Sequence, residues 1–240
     1  MKNNLNLYFD TWRKANFLLL VKIYTNLFKS KESSLSADIL KPRLGENLKV
    51  YFPNEKEKNI TDALWRSAYT LGLELGIFFR VETKPARYNL SDLGNRLQKS
   101  QITAPEFLAS YLLNLNQLIN DQVVHPLETI LDYMHAESIE QINRNNVIEI
   151  PSFNLQREGN TEDNQRTMAN VLIHRLIDSN IFTEVSFSRE SGKTIKLSDK
   201  YSLDEIRQNI NKFQGSTDES KEMNAQRYVE MISSANNLIK

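Results

Sequence analysis

The stretch NITDALWRSAYTLGLELGIFFRVETKPARYNLSDLGNRL, Asn59–Leu97, carries the clearest order in the chain. Leu64, Ala68, Leu71 and Leu75 recur every three or four residues. They form one apolar stripe, which leaves Asp62, Arg66, Tyr69, Thr70 and Leu73 to the other side of a helix. Gly76 suits the residue just past a helix C-terminus, because glycine adopts the left-handed backbone needed there. Ile77–Val81 reads as a short strand. Thr83–Arg87 makes a charged turn, since Pro85 fixes φ and cannot extend a ladder. Tyr88–Leu90 returns as a second strand, and Ser91 opens another helix. The order is helix, strand, turn, strand, helix.

Upstream, Trp12, Ala15, Leu19, Ile23 and Leu27 predict a helix over Asp10–Phe28. Ser36 is a good N-cap for a short second helix that Pro42 should stop. The polar run from Pro42 to Asn59 then reads as a long approach to the third helix. Downstream, residues 102–146 read as an all-helical block. Phe107, Tyr111, Leu112, Leu115 and Leu118 lie on one face, and a further helix starts at Pro126 with Leu127, Ile130, Leu131 and Met134. Val147–Asn160 reads as a loop. The opening order then recurs: a helix capped at Thr161 and running through Ser179, with Met168, Val171, Leu172 and Leu176 inward, then strands at Ile181–Ser188 and Thr194–Leu197, and a helix over Ser202–Phe213. Gln214–Ser220 is a polar hinge before a last helix, Glu222–Ile239.

The fold class expected is mainly α with small β-hairpins (α+β). Its divisions are a first unit over 1–100, a helical linker block over 101–160, a second unit over 161–213, and a hinge with a C-terminal helix over 214–240. Hydrophobic residues make up 40% and charged residues 25% of the 240, and seven Gly with six Pro leave no low-complexity tract, as in a folded globular protein. With no Cys, disulfides and thiolate zinc sites are excluded. The longest early apolar run, Phe17–Val21, is far short of the roughly 18 residues that span a bilayer. Asp10 and the lack of a small-residue cleavage pattern argue against a signal peptide. The expectation is a cytoplasmic protein.

Formal net charge is zero, but its distribution is uneven. Residues 1–100 hold 17 Lys and Arg against 10 Asp and Glu, residues 101–160 hold 2 against 8, and residues 161–240 hold 11 against 12. An excess of basic charge in the first part suggests a polyanion near it, and a fluctuation over a solvated surface is the plainer alternative.

The helix–hairpin–helix order, with its closing Tyr-Asn-Leu-Ser-Asp-Leu-Gly, resembles the second half of a winged helix-turn-helix domain. Two such units flanking a helical block resemble the recognition domains of type II restriction endonucleases, in which tandem winged helices read an asymmetric site and a separate domain cuts. That resemblance implies sequence-specific binding of double-stranded DNA in restriction-modification, by a module without its own catalytic centre, with a nuclease domain or subunit as a further partner. In the first unit Arg66, Tyr69 and Thr70 would face the bases, because Arg can bridge guanine O6 and N7. In the second, Gln165, Arg166, Asn170 and His174 would do so, because Asn and Gln can bridge adenine N6 and N7. Lys84 and Arg87 in one turn, and Arg189, Lys193 and Lys196 in the other, would meet phosphate. The same fold serves as an interaction module in accessory subunits of SMC-type complexes, and as a plasmid replication initiator or transcriptional regulator. Those readings stay open.

Other constellations are weaker. Glu82-x-Lys84 after an apolar strand is written like the metal half of a PD-ExK nuclease, but the upstream Asp available, Asp62, falls at a helix start and the hairpin accounts for the same residues. Gly192-Lys-Thr ends like a P-loop, yet Phe187 stands where the first Gly belongs and a strand follows. His125, His135 and His174 lie on separate elements without carboxylates at ligand spacing, which favours structural roles. No Ser/His/Asp pattern occurs. No catalytic residue, metal ligand or cofactor is assigned.

Overall fold

A computed structural model describes residues 17–28, 32, 34–83, 85–119 and 122–212. It is an α+β chain that divides by contacts into two compact units, which among the described residues are 17–107 and 108–212.

The first unit runs α1 (Phe17–Leu27), β1 (Ser34–Ser36), α2 (Ala37–Tyr51), α3 (Glu57–Asn59), a π-helical turn Ile60–Leu64, α4 (Trp65–Glu74), β2 (Phe78–Thr83), β3 (Ala86–Leu90) and α5 (Asp92–Gln98). Its antiparallel sheet has the order β1-β3-β2. The second unit follows α6 (Ala104–Asn114), within which the division falls, with β4 (Gln117–Ile119), β5 (Gln122–Val124), α7 (Pro126–Ala136), β6 (Gln141–Ile142), α8 (Arg144–Glu149), a 3₁₀ turn Pro151–Phe153, α9 (Glu162–Asp178), β7 (Phe182–Ser188), β8 (Gly192–Leu197) and α10 (Leu203–Asn209). Its main sheet has the order β6-β8-β7, and β4 and β5 form a separate hairpin.

Pro42 does not stop the second helix: α2 continues to Tyr51. A proline inside a helix costs roughly 3 kcal/mol. Leu40, Leu44 and Leu48, spaced four apart, are each at most 1% exposed, and burying each returns about 1.5–3 kcal/mol. The stripe outweighs the lost hydrogen bond. Ser36 does stand at the N-cap with an extended backbone, but its side chain makes no capping bond. The approach to the third helix is therefore short, because Glu57–Glu74 is helical throughout, with Trp65 N–H reaching back to the Ile60 carbonyl across the π turn.

The ends of α4 and α5 follow from local chemistry. Leu75 is the C-cap of α4, and Gly76 takes the left-handed conformation, φ 66°. Ile77 N–H then reaches the Gly72 carbonyl at 3.0 Å and Gly76 N–H the Leu73 carbonyl at 3.1 Å, the paired bonds of a Schellman ending. Ser91 caps α5 by accepting from Gly94 N–H at 2.9 Å, while its hydroxyl donates back to the Gly76 carbonyl at 2.5 Å.

The block expected to be helical over 102–146 contains the β4–β5 hairpin, and Leu118 lies on a strand. Helix α6 ends at Asn114, where groups from outside the helix take over its last carbonyls. Asn116 Nδ2 donates to the Asn114 carbonyl at 3.2 Å, and His125 Nε2 and Asn211 N–H both reach the Leu113 carbonyl, at 3.0 and 2.8 Å. Nor does this block stand apart as a linker. Its residues Gln141 and Ile142 form the edge strand β6, which pairs with Lys196 and Ile195 of β8. Val147, placed in a loop from sequence, lies buried in α8. The stretches 10–16 and 213–240, including the expected hinge and last helix, fall outside the described residues.

The two units repeat one another in detail. Each has a helix, a short edge strand, two further helical segments and a hairpin, with the edge strand bonded to the second arm of the hairpin. Leu35 opposes Tyr88 where Ile142 opposes Ile195, and Phe78 opposes Leu90 where Phe182 opposes Leu197. Gly76 and Asn180 both adopt positive φ, each followed by a buried Ile-Phe pair. Ser91 N–H bonds the Ile77 carbonyl at 3.0 Å, and Ser198 N–H bonds that of Ile181 at 2.9 Å.

Candidate nucleic-acid interface

Helices α4 and α9 carry the candidate readers. Each buries one stripe: Ala68, Leu71 and Leu75 in α4 with its C-cap, and Met168, Ala169, Leu172, Ile173 and Leu176 in α9. Arg66 stands nine residues before its C-cap Leu75, and Asn170 nine before its C-cap Ser179. Thr70 and His174 match in the same way, five residues before theirs. The two helices therefore present these pairs at one register, with Arg66 and His174 exposed and Thr70 and Asn170 half-buried.

Arg66 holds Asp62 at 2.6 Å with side chains 72% and 61% exposed, and Arg166 is paired with Glu162 over the same i,i+4 spacing. Exposed pairs of this kind are worth about 0.3–0.5 kcal/mol. A bidentate Arg–guanine contact discriminates by about 1–3 kcal/mol. The acids thus restrain the arginines without competing seriously with a base edge.

Tyr69, expected to face outward, is turned inward. It lies half-buried with its ring stacked on Trp65 at 5.0 Å, and its hydroxyl is 2.9 Å from that of Tyr88. Burial, with the Tyr88 hydroxyl second, pushes its phenol well above the ordinary value. The matching position of α9 is Ile173, fully buried, so this register points inward in both helices. Gln165 is also engaged elsewhere, its amide donating to the Asn160 carbonyl at 3.0 Å where it secures the turn before α9.

In the second unit α9 and the β7–β8 hairpin come together. The Asn170 Oδ1 atom is 3.1 Å from where a Cβ on Gly192 would stand. The surrounding protein, then the Lys193 charge, hold the His174 imidazole below its usual range although its ring is exposed. Lys193 pairs with Glu184 at 2.6 Å and Lys196 with Asp199 at 3.5 Å, while Arg189 is exposed at the hairpin turn. In the first unit Arg87 is half-buried and its Nε donates to Ser34 Oγ at 3.2 Å, tying β3 to β1. Lys84 lies outside the described residues. Arg80, passed over in the sequence, lies near enough to α4 for its charge to act on the Tyr69 phenol. Its place on strand β2 conceals it in the sequence, because strand alternation shows the ladder and not the helix face beside it.

Among the described residues no group of His, Asp and Glu could hold a metal ion, and no helix is long and apolar enough to cross a membrane. His125 is structural: it is buried, its Nδ1 accepts from Glu128 N–H at 3.3 Å to cap α7, and burial lowers its pKa. No family model, curated protein or solved structure matches the chain.

Proposed function

We propose that both units are winged helices and that the chain binds double-stranded DNA sequence-specifically, with α4 and α9 as major-groove helices and the hairpins as wings on the backbone. The observation that carries this reading is the shared register of Arg66 and Asn170 on two helices that sit at the same point of one repeated topology. A recognition helix leads with outward polar side chains on a rigid buried stripe, and the wing supplies point charges that need no base. Arg66 would read guanine and Asn170 adenine, so the two units read different bases. The site is therefore asymmetric. This suits the recognition module of a restriction-type endonuclease whose cutting centre lies elsewhere, with a nuclease domain or subunit as partner. A replication initiator or transcriptional regulator would use the same contacts.

An interaction subunit of the SMC-accessory kind is the rival from another class. It is favoured by the 8 acids against 2 bases over residues 101–160 and by the acid partners of Arg66 and Arg166. Selection from random duplexes separates the two. The DNA reading expects enrichment of a non-palindromic site with a guanine in one part and an adenine in the other. Absence of any enriched sequence would sink it.

A further inference from the structure

The first unit holds a cavity of about 300 Å³ between the start of α2 and α4, walled by Trp65, Tyr69 and Tyr88, with Asp38, Lys41 and Pro42 around it. The rings are held from within. Trp65 and Tyr69 stack with planes 9° apart, and Tyr88 meets Tyr69 edge-on, with centroids 5.8 Å apart and planes at 84°. The two phenols bond each other, and the Trp65 indole N–H donates to the Lys41 carbonyl at 3.2 Å. Both phenols and the indole N–H thus have a partner inside the site, and little ring freedom remains to be lost on binding. Above the Trp65 ring, 5.6 Å from its centroid, lies the Lys41 ammonium. Asp38 and Lys41 are both exposed.

Aromatic walls admit quaternary ammonium groups, apolar side chains or nucleobases. A cationic ligand would be repelled by the Lys41 ammonium beside it, whereas an anionic one attracts it. An apolar side chain would take water from Lys41 and Asp38 and offer them nothing. A nucleotide uses all three features, and the volume, at the lower end of ligand sites, suits one ring system. We propose that this cavity binds a single nucleotide: the exposed Lys41 ammonium swings from the Trp65 ring to the phosphate, the base stacks on the face it leaves, and the exocyclic amine donates to Asp38. Adenine and cytosine have that amine and thymine lacks it, so the site selects between them.

The nucleotide can come from the free pool or from an unpaired position in a strand. The test uses the full chain with Trp12→Phe, which leaves Trp65 as the one tryptophan emitter. AMP, CMP, TMP, adenosine and inorganic phosphate are titrated, then a duplex with a bulged adenine and the same duplex fully paired. Saturable quenching by AMP or CMP, about tenfold weaker with TMP, supports the site and a free nucleotide as its ligand. Quenching by the bulged duplex without the mononucleotides supports the site with an unpaired strand position as the source. Lys41→Met should weaken AMP about fivefold and leave adenosine unchanged, and Asp38→Asn should abolish the preference over TMP. Both positions are on the surface, so the variants should fold, as circular dichroism would check. No quenching by mononucleotide or bulged duplex, or equal quenching by AMP and TMP, overturns the proposal. The mononucleotide arm involves no duplex, so it stands or falls separately from sequence-specific DNA binding.

Discussion

Gly94 in α5 faces the backbone oxygen of Ile77 so closely that a Cβ there would stand 2.2 Å from it. The obstacle is main chain, held by Ser91 N–H, and cannot swing aside as a side chain could. Gly94→Ala should therefore destabilise the first unit by about 1–3 kcal/mol, although Ala is normally the better helix former. Gly45, inside α2, meets nothing within 4 Å, so Gly45→Ala should stabilise by about 0.5–1 kcal/mol. Urea midpoints of the two variants measure both signs.

His125 gives the second unit a pH dependence. Burial lowers its folded pKa below the unfolded value of about 6.5. The unfolded chain then binds the proton more readily, so this contribution is fully present above about pH 6.5 and is lost as pH falls toward the folded pKa. His174 is shifted the same way. Asp178, raised by burial, acts in the opposite sense in a more acid range. His125→Asn keeps a capping acceptor and removes the proton. Unfolding midpoints compared at pH 7.5 and 5.5 should fall less for the variant than for the native chain, and parallel losses would exclude His125 as the cause.

Arg66→Ala should relax preference at one base pair of the selected site, costing about 1–3 kcal/mol there. Asn170→Ala should do the same at a different base pair. Competition binding with single-base variants of the duplex measures both, and equal weakening on every sequence would reassign the residue to phosphate.

Arg189, Lys193 and Lys196 should act without regard to sequence. Replacing any one with Gln should lower the slope of log affinity against log salt by about one unit. Glu184 and Asp199 hold the two lysines only in exposed pairs, too weak to keep them from a phosphate. An unchanged slope would place that residue off the DNA.

Much of this fold was written locally. Gly76, Ser91, Thr161 and Ser202 mark helix ends by chemistry that acts over three or four residues, and each stands where such chemistry places it. The sequence carries a second signal as well: Ile-Phe at 77–78 and 181–182, and Leu-Ser-Asp at 90–92 and 197–199, bracket both hairpins. Pro42 misled because its cost is local whereas the leucines that offset it act through the core. The candidate site was legible in part. Arg66, Asn170, His174 and the second hairpin's basic residues lie at or near the surface, whereas Tyr69 and Gln165 face outward on the helix wheel but have partners inside.

The sequence of Asn59–Leu97 by itself determined a helix, a hairpin and a helix, because periodicity, caps and a proline turn are properties of neighbouring residues. Only the tertiary structure decided that Ser34–Ser36 and Gln141–Ile142 are strands, since a segment of two or three residues has no ladder until a distant arm supplies one. Those edge strands complete the two sheets. Tertiary packing likewise made Tyr69 a wall of the Trp65 cavity, because a ring at the margin of a stripe takes its side from what the rest of the chain brings against it.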